Sequence, residues 1–513
     1  MSTLQSTRSQ TKSFSTVFLI ELWERFGFYG MQALIVFYMV QRLGFDDTRA
    51  NLVWGAASAL IYVAPAIGGW VGDQLFGTRR TMLLGAAILS LGYAFLTMPT
   101  ENTNFLFVAL GVIVVGNGMF KPNAGNLVRK IYDGDDAKID SAFTIYYMAV
   151  NIGSTFSMIL TPLVKDWVNG WYQNEFGWHA AFGMCCTGLI VGLINFYFLR
   201  ATMAHVGSDP DNQPFQVSKL LKLLAIGAVC VAISTVILQH RDIARAFVII
   251  AAVSMLGIFA YLISKSHRDE KAGLIAALVL TIQTIFFFIF YQQMSTSLSL
   301  FALRNVDPAQ TLFGIHLFNW LPAQYQALNP IWIMLLSPIL AFAYTRAGAR
   351  GKDLPIAGKF ALGFAVVAAG FFMYGVAGNF AVAGKTSSWV MIAGYGLYSL
   401  GELLVSGLGL AMIARYVPAR MGGFMMGAYY VGVGISQYLG GIIANYAAIP
   451  SDITDPLQSL PIYTSLFNKL GMTGIACTLV AIAVLPLMKK LSATHHDASN
   501  LPTPPLVTAI AEE

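Results

Sequence analysis

Apolar stretches of about 20 residues recur from one end of this chain to the other, and each is long enough to cross the roughly 30 Å hydrocarbon core of a bilayer as an α-helix. Fourteen such segments lie near 15–40, 51–74, 79–99, 104–128, 138–164, 177–199, 216–238, 244–264, 272–301, 327–347, 356–380, 386–416, 420–447 and 467–490. Strand-length alternation of polar and apolar residues is absent, which argues against a barrel. The fold class is therefore an all-α membrane protein. Composition agrees: of 513 residues 56% are hydrophobic and 11% charged, with mean hydropathy +0.64, whereas soluble chains carry roughly 25% charged residues.

The segments group as six, two and six. Residues 1–14 form a polar N-terminal segment, 15–200 a first six-helix bundle, 201–271 a linker with two extra helices, 272–492 a second bundle, and 493–513 a polar tail expected to be disordered. The first span is too long for a signal h-region, so no cleavage is expected. Placing both termini in the cytoplasm leaves eight of the 31 Lys and Arg residues outside (Arg42, Arg49, Lys165, Arg241, Arg245, Arg304, Lys385, Lys469) and two in the membrane, Arg25 and Lys121. That bias is what the positive-inside rule demands. The net charge of +6 is thus a topology signal, and no nucleic-acid partner is implied. Four cysteines, Cys185, Cys186, Cys230 and Cys477, fall within spans without metal-ligand spacing and read as packing residues.

Within the first span stand three charged side chains, Glu21, Glu24 and Arg25, in the run ELWERFGFYG. A charge at the centre of a membrane helix costs about 2.5–3.5 kcal/mol on insertion scales, so the cluster needs partners or a polar cavity. Spacings of three and four residues put all three on one face, continued by Tyr29 and Gln32. In the fourth span Lys121 lies in GNGMFKPNAGN, beside the helix-kinking Pro122 and the amides of Asn117, Asn123 and Asn126. A buried lysine needs a carboxylate to stay charged, and in this half only Glu21 and Glu24 can supply one.

The turn GGWVGDQLFGTRRTMLLGA, with Gly69, Asp73, Gly77, Arg79 and Arg80, resembles the cytoplasmic loop signature of the major facilitator superfamily. Its glycines permit a tight turn, and its acid is expected to meet helix ends and basic groups. Taken together, ELWERFGFYG, the stretch 68–92 and the fifth-span run YYMAVNIGS resemble the signatures of the proton-dependent oligopeptide transporters, whose bacterial members have two extra helices. The resemblance implies a major facilitator fold of two six-helix bundles plus two helices. It also implies import of di- and tripeptides with protons, by alternating access, across the bacterial inner membrane. No cofactor beyond the coupling proton and no obligate protein partner is implied.

Carried over by resemblance, Glu21, Glu24, Arg25, Lys121 and Glu402 form the proton-linked set, with Lys121 a contact for the peptide carboxylate. Tyr29, Tyr62, Tyr147 and Asn151 line the amino half of the site; Asn329 and Glu402 belong to the carboxyl half, Glu402 holding the peptide ammonium. The chain departs from the family pattern at Gln32, where an arginine is usual, at Phe28, at Tyr291, where an acid is often found, and at Tyr429 and Gly432; Gln32, Tyr291 and Tyr429, with Arg25, are still expected in the peptide-binding set. A same-fold transporter of another small anion or zwitterion, such as nitrate or a modified amino acid, is the alternative. An enzyme would need a nucleophile with a base or a metal cluster, and neither is visible in the sequence.

Overall fold

The computed structural model describes residues 2–100, 102–172, 175–351, 354–417 and 422–499. Helix α1 (Ser2–Phe37) passes into a widened turn at Tyr38–Arg42, and α2 (Asp47–Val63) begins at an Asp46 side chain that accepts the Arg49 N–H at 2.8 Å. A proline then starts the short α3 (Pro65–Trp70), which ends in a second wide turn, Val71–Phe76. Gly77 reverses the chain at φ +105°, a conformation that a side chain disfavours, and α4 (Thr78–Leu96) follows. The first half closes with α5 (Thr103–Ile131), α6 (Asp136–Tyr172) and α7 (Gly177–Leu199). A one-turn α8 (Asp209–Asn212) leads to the extra pair α9 (Val217–Gln239) and α10 (Arg241–Lys265). The second half comprises α11 (Arg268–Gln292), α12 (Ser297–Asn305), α13 (Leu328–Ala349), α14 (Ile356–Ala377), α15 (Ser388–Tyr416), α16 (Gly422–Ala444) and α17 (Pro456–Ser499).

Among the described residues eleven helical segments are long and apolar enough to span a membrane. The first helix is not among them, because the charges that mark it as functional also lower its hydropathy. Apolar side chains on α9 and α10 point outward, with Ile250 and Val253 each 65% exposed. A helix pair that is apolar on its outer face belongs against lipid.

Several expected boundaries shift. Helix α1 starts at Ser2 instead of at 15, and α17 begins at Pro456 and continues to Ser499, past the start expected for a disordered tail; residues 1 and 500–513 lie outside the described residues. A small hairpin also appears, Ala309–Leu312 (β1) against Ile315–Asn319 (β2), antiparallel and turning at Phe313 and Gly314 with φ +50° and +80°. Four- and five-residue strands between spans leave too short an alternation to stand out from an ordinary loop.

The two halves meet mainly through α2 against α16, and α1 lies between α6 and α7. At Gly153 of α6 a Cβ would sit 2.4 Å from the Leu22 carbonyl oxygen, so only glycine lets α6 approach the charged face of α1 this closely.

All hydrogen bonds between the halves, among the described residues, cluster toward one end of the bundle. Asp47 takes a bidentate ion pair from Arg304 at 2.7 and 2.8 Å and accepts the Ile449 N–H at 3.0 Å. Trp54 donates to Ser295 at 2.9 Å, Asn51 to Asn445 at 3.1 Å, Gln324 to the Ile159 carbonyl at 3.1 Å and Gln326 to the Ala33 carbonyl at 3.3 Å. The two halves are latched at this Asp47 end. The opposite, Arg79 end carries no such latch among the described residues.

Candidate functional site

Burial of the α1 triad is nearly complete: Glu21 is 2% exposed, Glu24 0% and Arg25 3%. One helical turn brings Arg25 Nε to 3.3 Å from Glu21 Oε1, and the same Nε contacts Glu24 Oε2 directly. The guanidinium also lies 5.2 Å from the Phe28 ring centre. One arginine therefore serves two carboxylates, and among the described residues Glu24 Oε1 and Arg25 Nη2 have no hydrogen-bond partner. Two acids sharing one cation leave a net negative charge in a low-dielectric surrounding.

Lys121 departs from expectation. No carboxylate lies within 4.0 Å of it among the described residues; its Nζ stands 4.9 Å from the Tyr62 ring centre and 6.0 Å from that of Tyr430. Arg25 already occupies the two acids that were expected to pair with this lysine. An ammonium facing aromatic rings gains about 0.5–2 kcal/mol from the ring quadrupole and keeps its N–H groups for another anion. Its neighbours on α5 are fixed: Asn123 donates to the Gly68 carbonyl at 2.9 Å, and Asn126 to Asp73 at 2.8 Å, while the buried Asn117 amide has no partner among the described residues.

In the second half Glu402 is 7% exposed and accepts one hydrogen bond, from Asn329 Nδ2 at 2.7 Å; the same amide nitrogen reaches Ser399 at 3.1 Å. No cation pairs with Glu402 among the described residues. Tyr291 and Tyr398 lie tilted against each other, with ring centres 6.0 Å apart, and Phe288 links Tyr291 at 5.4 Å to Tyr62 of the first half at 6.4 Å. An aromatic bridge thus runs from the lysine side to the glutamate side. Tyr62 of the first half faces the Lys121 ammonium and meets the ring chain of the second half.

Other expected residues divide. Tyr147 is 43% exposed, and its carbonyl accepts from the Asn151 side chain at 2.8 Å, an intrahelical bond that leaves the Asn151 amide oxygen for other donors. Tyr29 packs edge-on to Phe28 at 5.3 Å, and Gln32 is buried at 8%. Tyr429, expected in the binding set, is buried in the packing of α16, whereas the adjacent Tyr430 faces Lys121. In a YY pair one residue of rotation, about 100°, decides which ring enters the chamber, and the sequence has no marker for it.

Asp73 accepts from Asn126 and from Thr78 at 3.2 Å and meets Lys130 at 3.7 Å, so the acid does find a base and a helix start. The two arginines go elsewhere. Arg80 donates to the Pro210 and Gln213 carbonyls at 2.9 and 2.7 Å, Arg79 donates to the Met203 carbonyl, and Asp211 accepts the Arg79 and Arg80 N–H groups at 3.1 and 3.2 Å. The linker segment GSDPDNQP is thereby an N-terminal cap for α4. In the sequence it reads only as a polar loop.

A family model described as the POT family matches residues 79–458. Dipeptide and tripeptide permease B of Aliivibrio fischeri (strain MJ11) is 40% identical over 500 residues, 97% of this chain and 98% of that protein. Dipeptide and tripeptide permease A of Salmonella typhimurium is 40% identical over 489 residues, 95% of this chain and 94% of that one. A solved structure described as tetrameric PepTSo2 superposes with TM-score 0.87 at 66% identity, covering 94% of this chain and all of that one.

Proposed function

Because this chain belongs to the POT family, we propose that it imports di- and tripeptides together with protons, using the α1 triad as proton acceptor and the Lys121–Glu402 chamber as peptide site. The relatives named as dipeptide and tripeptide permeases support the substrate class. The observation that carries the site assignment is the asymmetry of charge across the chamber. A cation without a carboxylate stands in one half, and an acid with only an amide partner stands in the other.

A short peptide is a zwitterion whatever its side chains. Its carboxylate can bind Lys121 Nζ, and its ammonium can bind Glu402, displacing or joining Asn329. Tyr62, Tyr147 and Tyr291 offer rings and hydroxyls that tolerate varied side chains. Gln32 supplies no charge, so Lys121 carries the carboxylate interaction with less help than an arginine in that place would give.

The Lys and Arg bias supports placing the Arg79 end and both termini in the cytoplasm, in a bacterial inner membrane. On that orientation the latch of Asp47, Arg304 and Ile449 closes the outer side, and the chamber faces inward. Loss of the proton restores the double ion pair on Arg25. Protonation of Glu24 weakens it and frees Arg25 to rearrange as the halves re-close around substrate. Coupling requires that proton and peptide each bind one state better than the other.

Uptake of labelled dipeptide into proteoliposomes, with and without an inward proton gradient, tests the proposal. Accumulation only with the gradient, competed by unlabelled di- and tripeptides but not by nitrate or a single modified amino acid, is the expected result. Competition by nitrate alone would move the substrate class.

A further inference from the structure

Three basic residues at the Asp47 end have no part in the latch or the chamber. Arg42 there pairs with Glu175 at 2.8 Å, Lys165 with Asp166 at 2.8 Å and Arg304 with Asp47. Arg49, Arg241 and Arg245 pair with no acid within 4.0 Å among the described residues, and all three converge on one seam between α2, α10 and α16. A cavity of about 410 Å³ holds Arg241 and Arg245 with Thr48, Tyr438 and Asn445, and an adjoining one of about 270 Å³ adds Arg49 and Gln239. Two acids stand nearby. Asp46 is engaged in capping α2, and Asp242 follows Arg241 in the first turn of α10. The excess charge is positive, and the N-terminus of the 25-residue α10 adds its partial positive charge.

From this polar mouth the seam continues down the bundle as apolar surface. Leu52, Val53 and Ala56 on α2 line the mouth, and deeper a pocket of about 230 Å³ is walled by Leu60 and Val63 of α2, with Ile233, Ile237 and Phe247 from the extra pair. A second apolar groove, between α9 and α10, shares Ile233, Ile237 and Phe247 with it. A basic head-end opening onto an apolar groove of membrane depth has the polarity of a single anionic phospholipid.

We propose that this seam binds one anionic phospholipid, its phosphate between Arg49, Arg241 and Arg245 and an acyl chain along the groove between α2 and the α9–α10 pair. The mouth has walls from both halves, α2 from the first and, from the second, Tyr438 of α16 and Asn445 in the turn that follows it, so the bound headgroup rests against both. Basic side chains at a membrane surface contribute about 1 kcal/mol each toward anionic lipid, and neutralising two of them predicts about a 30-fold loss of preference.

The test uses the full chain purified in a neutral detergent, with phosphatidylglycerol and phosphatidylcholine of identical acyl chains added in competition and the bound lipid counted by native mass spectrometry. The parent is expected to retain phosphatidylglycerol preferentially; the double variant R241Q/R245Q is expected to lose the preference about 30-fold, and R241K/R245K to keep most of it. Thermal unfolding with inorganic phosphate alone separates the sources, since a site for lipid gives no stabilisation by the free ion. An R241Q/R245Q protein that keeps its preference, or equal stabilisation by inorganic phosphate and by phosphatidylglycerol, would overturn the proposal.

Discussion

The two charged centres of the chamber solve the same problem in opposite ways. In the first half, Glu21 and Glu24 share the Arg25 cation within a single helical turn; in the second, Glu402 has a neutral amide for company. A cluster that holds its own cation does not wait for a ligand to supply one. An acid held only by an amide is incomplete until a cation arrives, and the cation at hand is the ammonium of a peptide. On the proposed function, the contrast would divide the labour of coupled transport between two helices, α1 for the proton and α15 for the substrate.

Breaking the compensated side should have the largest effect. Arg25→Ala leaves two carboxylates buried with no countercharge, and removing one partner of a buried pair costs about 3–5 kcal/mol. Thermal unfolding in detergent should show a large drop at neutral pH that shrinks as acid protonates Glu21 and Glu24. An Arg25→Ala protein as stable as the parent at neutral pH would mean the triad is not a compensated unit.

Glu402→Gln should behave differently, keeping stability while weakening peptide. A charge-assisted hydrogen bond contributes about 1.5–3 kcal/mol, so dipeptide affinity measured by calorimetry should fall roughly 10–100-fold. An N-acetylated dipeptide, which lacks the ammonium, should bind the parent and the variant alike. Equal losses for free and acetylated peptides would remove Glu402 from the ammonium role.

The smallest effect concerns the aromatic face under Lys121. Tyr62→Phe keeps the ring and should change dipeptide affinity little, whereas Tyr62→Leu removes it and should cost about 0.5–2 kcal/mol, read as a rise in Kd. If both substitutions weaken binding equally, the hydroxyl and not the ring is what positions the lysine.

Much of this arrangement was legible before any coordinates. Repeated apolar segments led to the helices, because lipid allows few other ways to bury a backbone. Glu21, Glu24, Arg25, Lys121 and Glu402 stood out because charge within a membrane is costly. What the sequence hid were choices among near-equivalent partners. Lys121 and Arg25 compete for the same two acids, and proximity in one turn favours Arg25. Tyr429 and Tyr430 differ only by helix rotation. Asp211 caps α4 from a linker 132 residues away from Arg79 in sequence, a distance over which local pattern is silent.

The central claim, that the proton is held by the α1 triad while the peptide is held between Lys121 and Glu402, is tested most directly by Glu24→Gln in proteoliposomes assayed two ways. Counterflow, exchange of labelled for unlabelled dipeptide with no gradient, should persist, because the peptide contacts remain. Accumulation driven by an inward proton gradient should be lost. A Glu24→Gln protein that still concentrates dipeptide in response to the gradient would contradict the account.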